Sequence, residues 1–149
     1  MAGLTPGTDG NLYGSTFNGG PTASYGTVFK ISPDGDLATL HVFSKSDGSQ
    51  PVAALLIGSD GDLYGSTLLG GNNPACSCGT IFTITSTGTF TTLLDFGPGA
   101  TGIAYPEGAL LQDSNGIFYG TADLGGAHDS GVIFGLSLGL SFLLKHNPK

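Results

Sequence analysis

The chain has 149 residues, 27 of them glycine, and its four lysines face eleven carboxylates, which gives a formal net charge of −7. Binding to nucleic-acid phosphates relies on clusters of basic residues, so this composition excludes a nucleic-acid partner and favours cations or basic partners. The glycines follow no Gly-X-Y period and 39% of the residues are hydrophobic, which excludes both collagen and a disordered chain.

No segment approaches the roughly 18 apolar residues that a membrane-spanning helix needs. The amino terminus, residues 1–6, has neither the basic start nor the apolar stretch of a secretory signal. From the sequence as written we therefore expect a cytoplasmic protein without a membrane partner.

An eight-residue pattern occurs three times, beginning at Asp9, Asp60 and Asn115. Its tyrosine recurs after 51 and then 55 residues, at Tyr13, Tyr64 and Tyr119. Each copy is followed by a glycine pair and by a short apolar strand that opens with glycine. A period near 50 residues with strand-forming composition predicts propeller blades or a β-solenoid.

Each repeat is predicted to form four short antiparallel strands. In the first repeat, residues 28–31, the Pro33-Asp34-Gly35 turn and residues 37–43 form a hairpin. The second repeat has strands at residues 53–58, 62–67, 79–84 and 89–96, and Asp60-Gly61 supplies the positive φ of a tight turn. In the third repeat, residues 132–134 and 140–145 form the last two strands, with a turn near Gly139.

These features predict an all-β β-propeller built of four-stranded antiparallel blades, with three blades in one unit covering residues 1–149 (blades about 1–50, 51–105 and 106–149). A β-solenoid would show shorter coils. Because propellers close with four to eight blades, three blades leave two alternatives. Either the chain is a fragment of a longer array, or a homodimer closes a six-bladed ring, which we favour. Otherwise the blade faces would expose an apolar patch carrying Phe29, Phe82, Phe134, Leu55 and Leu110.

The meander separates the loops into two sets. Turns within the hairpins, such as Asp9-Gly10 and Asp34-Gly35, are short and lie at one face. The loops at residues 17–25, 68–78 and 123–130 and the connections at residues 44–51 and 97–106 are long and lie at the other. Variable loops on a rigid scaffold commonly bind ligands, so the long-loop face is the candidate for function.

The order of the octapeptide, the glycine pair and Gly26-Thr27-Val28-Phe29, ending in Leu40-His41-Val42-Phe43, resembles the tandem GloVer repeat of large, often surface-anchored bacterial proteins. The hairpin from Ser59 to Tyr64 is more loosely similar to repeats of the streptogramin lyase propellers, relatives in shape of lactonase and organophosphatase propellers. Those enzymes hold a divalent metal in a central funnel. The resemblance implies a propeller and leaves open a divalent cation such as Ca, Zn or Mn, but the catalytic histidines of the lyases match no position here.

The densest polar cluster in the sequence is Asp123, His128 and Asp129. These residue types ligate divalent metals, and a metal-bound water becomes a nucleophile near neutral pH. We therefore take all three as candidate metal ligands, with His128 and Asp129 as candidate catalytic residues; as an alternative, they are solvated loop residues. The candidate ligand-binding residues are Tyr105, Glu107, Asn72 and Asn73.

Other polar residues are expected to have structural roles. The repeated tyrosines should pack between blades and bond a neighbouring blade through their hydroxyls, while Asp9, Asp34 and Asp60 should form turns. His41 is expected to have no special role. The two cysteines, Cys76 and Cys78, are separated by one residue, and we expect two free thiols.

Two functions remain open. The first is a binding module that meets a small-molecule or protein ligand on its long-loop face and assembles as a homodimer. The second is a metal-dependent hydrolase of esters, lactones or phosphotriesters with its site in the central funnel of the ring. A piece of a surface protein with no function of its own is a third possibility.

Overall fold

The computed structural model describes residues 3–21, 24–97, 102–126, 128–139 and 141–145. Within these ranges the chain is all-β and contains no helix, as the composition predicts. None of the described segments could therefore cross a membrane as a helix.

The strands form three separate antiparallel sheets, one for each repeat, and each sheet is one propeller blade. Blade 1 contains β1 (Thr5–Pro6), β2 (Leu12–Thr16), β3 (Thr27–Ile31) and β4 (Leu37–Val42). Blade 2 contains β5 (Leu56–Ile57), β6 (Leu63–Thr67), β7 (Thr80–Ile84) and β8 (Phe90–Asp95). Blade 3 contains β9 (Ala104–Pro106), β10 (Leu111–Gln112), β11 (Ile117–Leu124), β12 (Val132–Ser137) and β13 (Ser141–Lys145).

The predicted four-stranded meander is confirmed, with strands paired in chain order in each blade. One connection differs from the prediction. The segment at residues 97–106, expected to be a loop, ends in β9, which pairs with the far end of β11 through Ala104 and Leu124. Blade 3 thereby gains a fifth strand beside its long-loop face.

The octapeptide contains two glycines with different physical roles. Gly61 lies in the tight turn with φ of 88°, and a Cβ there would meet no atom within 4 Å. Gly65 lies inside β6, where a Cβ would stand 2.5 Å from Cζ of Phe82 and 2.8 Å from Cδ2 of Leu55. The first glycine therefore serves the backbone conformation, and the second makes room for a phenylalanine ring on the neighbouring strand.

Two apolar cores fill the junctions between blades. The junction of blades 1 and 2 buries Tyr13, Val28, Phe43, Leu55, Leu63, Phe82 and Ile84. The junction of blades 2 and 3 is larger and includes Tyr64, Ile81, Phe96, Leu110, Phe118, Phe134 and Leu136. The apolar patch expected on uncovered blade faces therefore does not contain Phe82, Phe134, Leu55 or Leu110, because these four side chains lie between blades of the same chain.

Tyr13 and Tyr64 pack in these junctions as predicted, but the partner expected for their hydroxyls is wrong. The Tyr13 hydroxyl donates a hydrogen bond of 2.8 Å to Asp9, and the Tyr64 hydroxyl donates one of 2.5 Å to Asp60, in each case within the same blade. Burial, together with the bond to Asp60, raises the pKa of Tyr64 to about 12. The Asp60 carboxylate also accepts the Asp62 backbone N–H at 3.1 Å, which confirms it as a turn former.

His41 has a packing role that the sequence analysis did not predict. Its ring stacks on Phe90 of blade 2 with centroids 3.8 Å apart and meets the edge of Phe43. Its Nε2 lies 3.1 Å from a carboxylate oxygen of Asp47. Burial lowers the pKa of His41 below its ordinary value, and Asp47 only partly offsets this effect. The residue therefore contributes to the junction of blades 1 and 2.

Candidate functional site

The long loops and the connections between blades meet on one face, as the meander predicts. Gly71 in the second long loop donates its N–H to Lys45 in the first connection at 2.8 Å, and Ser49 forms a β-bridge with Leu69. Tyr105 at the end of the second connection donates its N–H to the Cys78 carbonyl at 2.9 Å. Backbone hydrogen bonds thus hold this face in a defined shape.

Tyr105 adopts a positive φ of 62°, which is uncommon for a residue other than glycine. Gln50 occupies the same place in the preceding connection, also before a proline, and has φ of 58°. Its N–H bonds the Tyr25 carbonyl at 2.7 Å, as that of Tyr105 bonds Cys78. The conformation of Tyr105 therefore belongs to the blade junction, and the junction fixes where its side chain leaves the backbone.

The cysteines correct the expectation of free thiols. Cys76 and Cys78 form a disulfide with Cα atoms 5.3 Å apart, and the described residues include no free cysteine. The physical reason lies in the path of the loop, which brings the two side chains to the same side of the backbone although one residue separates them. The disulfide fixes the end of the second long loop directly before β7.

A cavity of about 470 Å³ opens on the long-loop face between blades 2 and 3. Its walls are mostly apolar, and Asp129 and Tyr105 are the lining residues with polar side chains among those described. The lining residues are Cys76, Cys78, Gly102, Ile103, Ala104, Tyr105, Leu124 and Asp129. The size and the apolar walls with few polar groups are typical of small-molecule sites.

The cavity unites two of the residues singled out from the sequence, Tyr105 and Asp129. It also contains residues that sequence reasoning missed, notably the disulfide, Ile103 and Leu124. The signal for Ile103 was present, because an apolar Ile-Ala pair in a connection otherwise rich in glycine indicates burial. Leu124 gave no such signal, since strand alternation alone does not show that the last residue of a strand lines a cavity.

The polar cluster predicted to bind metal lies on the long-loop face, but its three side chains do not converge. Asp123 at the end of β11, and His128 and Asp129 in the following turn, are all exposed, and only Asp129 lines the cavity. In the described ranges no three His, Cys, Asp or Glu side chains lie close enough together to hold a metal ion. The described residues of one chain therefore give no geometric support for the predicted metal site.

The remaining candidate ligand-binding residues lie outside the cavity wall. Glu107 is exposed just after β9. The Asn73 side chain donates to the Phe96 carbonyl at 3.2 Å and accepts the Ala75 N–H at 2.9 Å, while the Asn72 backbone N–H bonds Asp95 at 3.0 Å. Asn73 thus shapes the loop that carries the disulfide, and Asn72 keeps an exposed side chain beside it.

Comparisons with known proteins agree with the repeat and the fold. The family model of the Gloeobacter/Verrucomicrobia repeat matches residues 1–146. A solved structure of a gluconolactonase-like protein is similar, with a TM-score of 0.52 and 19% sequence identity over 90% of this chain and 43% of that one. No curated protein matches the sequence. The likeness to the solved structure shows a propeller-type fold, and this chain spans less than half of that protein.

Proposed function

The chain belongs to the Gloeobacter/Verrucomicrobia repeat family, and we propose that it is a propeller-type binding module that holds a small molecule on its long-loop face and assembles as a homodimer. The observation that carries the binding role is the cavity between blades 2 and 3, which is lined by Tyr105, Asp129 and the Cys76–Cys78 disulfide. Its volume lies within the range of about 300–1,000 Å³ that ligand pockets occupy.

The charge of the cavity indicates the class of ligand. Asp129 is the acidic residue among the described lining residues, which include no lysine or histidine, and the whole chain has a net charge of −7. A cationic or hydrogen-bond-donating group would approach this surface favourably, while an anion would be repelled. We therefore expect a compact apolar compound with an amine or hydroxyl end, whose apolar part contacts Ile103 and Leu124.

The homodimer is supported by the way blades are stabilised. A propeller blade buries an apolar face on each side, and the described residues form three sheets, none of which covers the outer side of blade 1 or of blade 3. Two copies would supply six blades, within the usual range for a closed ring. No observation on the described residues favours the alternative, a metal-dependent hydrolase of esters, lactones or phosphotriesters, over the binding module.

The binding role can be tested with three aromatic probes of equal size: benzylamine, benzyl alcohol and benzoate. Titration followed by the backbone NMR signals of Ile103 and Ala104 should show saturable binding in the order amine, alcohol, benzoate. Asp129→Asn should remove the preference for benzylamine, because it removes the negative charge. Asparagine is chosen because it also tolerates the φ of 49° at this position. Asp123→Asn, an exposed position outside the cavity, is the matched control.

Two outcomes would contradict this proposal. If none of the three probes shifts the cavity signals in a saturable way, the cavity does not bind small molecules of this class. If benzoate binds as tightly as benzylamine, or if Asp123→Asn and Asp129→Asn have equal effects, the Asp129 carboxylate does not select the ligand.

A further inference from the structure

The two blade junctions within the chain are built in the same way. Tyr13 of blade 1 shares a core with Leu63 of blade 2, and the Tyr64 ring of blade 2 lies 4.3 Å from the Phe118 ring of blade 3, between centroids. In both junctions the repeated tyrosine of one blade packs in the same core as a residue of the next blade. That residue, Leu63 or Phe118, directly precedes the repeated tyrosine of its own blade. Each blade therefore has a trailing side, which carries the tyrosine, and a leading side, which carries the preceding residue.

The leading side of blade 1 is exposed. Leu12 is 38% exposed, whereas Leu63, its equivalent in blade 2, is 2% exposed. Leu4 is 54% exposed and its equivalent Leu55 is 5% exposed. The equivalent residues in the two blades are all leucines, so their side chains do not explain the difference in exposure. The difference arises because blade 1 covers Leu55 and Leu63.

The trailing side of blade 3 shows the same difference. Ile133 is 45% exposed, whereas Ile81, its equivalent in blade 2, is fully buried. Around it a shallow, mostly apolar cavity of about 210 Å³ is lined by Ala109, Leu111, Tyr119, Gly120, Thr121 and Ile133. In blade 2 the corresponding surface receives Leu110 and Phe118 from the leading side of blade 3.

We propose that the trailing side of blade 3 packs against the leading side of blade 1 of a second copy, so that Tyr119 meets Leu12 as Tyr13 meets Leu63. This inference rests on the homodimer proposed above and names its interface. The two exposed sides are the two halves of a junction that the chain already forms twice. A second copy presents both halves, which is why it fits better than an unrelated partner.

The two-fold arrangement makes this interface close on itself. Each copy offers one leading and one trailing side, so two copies form two identical junctions and leave no side exposed. Six blades then complete a ring. The junctions would bury leucine, isoleucine and tyrosine side chains without a charged residue at the centre, and such burial is favourable.

The proposal predicts a specific complementation between two variants. Leu12→Asp places a charge on the leading side and Ile133→Asp places one on the trailing side. Each variant alone disrupts both junctions of its own homodimer, and we expect its dissociation constant to rise about 100-fold or more. A mixed pair contains one doubly substituted junction and one unaltered junction, so mixing the two variants should restore dimers.

The experiment measures absolute mass by light scattering for the wild-type chain, each variant and their equimolar mixture, with circular dichroism to confirm folding. Leu138→Asp is the control, because Leu138 is 44% exposed but lies outside the proposed interface. Its equivalent in blade 2 is Ser86, whose carbonyl accepts a hydrogen bond from Lys30 of the preceding blade, so this position faces the preceding blade and not the trailing side. A wild-type dimer near twice 14.9 kDa, monomeric single variants and a dimeric mixture would support the interface.

Three results would overturn it. A wild-type monomer would remove the homodimer together with this interface. A dimer that neither variant dissociates would keep the homodimer and place its interface elsewhere. A series of larger oligomers would show open-ended association instead of a closed ring.

If a charged variant fails to fold, Leu12→Cys mixed with Tyr119→Cys replaces the pair, and oxidation should give a covalent dimer. The probe titrations of the cavity report on ligand binding separately.

Discussion

The Tyr64 ring lies 4.3 Å from the Phe118 ring, centroid to centroid, and this contact joins blade 2 to blade 3. The hydroxyl of the same tyrosine is bonded to Asp60 at the hairpin turn of its own blade. One side chain thus links the turn that defines a blade to the surface that stacks on the next one. The tyrosine therefore stabilises both the hairpin turn of its own blade and the packing of that blade on the next one.

The first prediction compares one leucine position in two environments. Leu63→Ala should lower the free energy of unfolding by about 2–5 kcal/mol, because it opens a cavity in a filled junction. Leu12→Ala, at the same repeat position on the outer side of blade 1, should cost less than about 1 kcal/mol in the monomer. Urea denaturation at low protein concentration measures both. Equal losses would contradict the assignment of Leu12 to an open side.

The second prediction concerns the raised pKa of Tyr64. An unfolded tyrosine ionises near pH 10, while the folded chain holds the pKa of Tyr64 at about 12, so the folded state keeps its proton to a higher pH. The stabilisation is complete below pH 10 and is lost as the pH rises toward 12.

Tyr64→Phe isolates this contribution. It should cost about 1 kcal/mol at pH 8, through the lost hydrogen bond to Asp60, and should reduce the loss of stability between about pH 10 and 12. Chemical denaturation across that range provides the measurement. Tyr25→Phe serves as the comparison, because Tyr25 lies outside the repeated turn. An unchanged alkaline profile in Tyr64→Phe would contradict the prediction.

The third prediction addresses the glycine inside β6. Gly65→Ala should destabilise the fold by about 1–3 kcal/mol, because its methyl group would overlap the buried Phe82 ring. Gly65→Ala combined with Phe82→Leu should lose less than the two single changes added together, since the smaller side chain frees the space. Thermal unfolding of the three variants tests this coupling, and strict additivity would argue against the overlap.

The fourth prediction concerns His41. Because the pKa of His41 is lower in the folded state than in the unfolded chain, the unfolded state binds a proton more readily. The contribution of His41 is complete above its ordinary pKa of about 6.5 and is lost as the pH falls through the folded value. Stability should therefore decrease between pH 7.5 and pH 5.

His41→Phe keeps a ring that can stack on Phe90 but cannot titrate. Its unfolding free energy should vary less than that of the wild type over this pH range. His128→Phe, which makes the same substitution at an exposed position of the third loop, is the matched comparison. A steeper profile in His41→Phe would show that the Asp47 ion pair, and not burial, dominates.

The strand pattern and the hairpin turns could be predicted from sequence because they depend on neighbours close along the chain. Asp60-Gly61 specifies its turn through positive φ and the Asp60 carboxylate, and the alternation from Thr80 to Ile84 specifies a strand. The direction of the Tyr64 hydroxyl was predicted wrongly. Both a residue of the same blade and one of the next blade could accept its proton, and only the packed junction decides between them.

The candidate site could be predicted only in part, because local sequence patterns indicate its loops but not the contacts between them. The sequence indicates a face of long loops and selects Tyr105 and Asp129, but it gives no basis for separating Asp129 from Asp123 and His128. The cavity is lined by residues of β9, which pairs with the end of β11, by Leu124 of β11 and by the Cys76–Cys78 disulfide. These contacts join parts of the chain that are distant in sequence, so no local pattern encodes them.

By itself, then, the sequence determined the number of blades, the order of their strands and the face that bears the long loops, because glycine turns and apolar alternation act over a few residues. Only the tertiary structure decided which apolar side chains are covered. Leu12 and Leu63 are the same residue in the same repeat position, and one is exposed while the other is buried. Burial is a property of the neighbouring blade, and a repeat sequence carries no local signal of whether that neighbour is present.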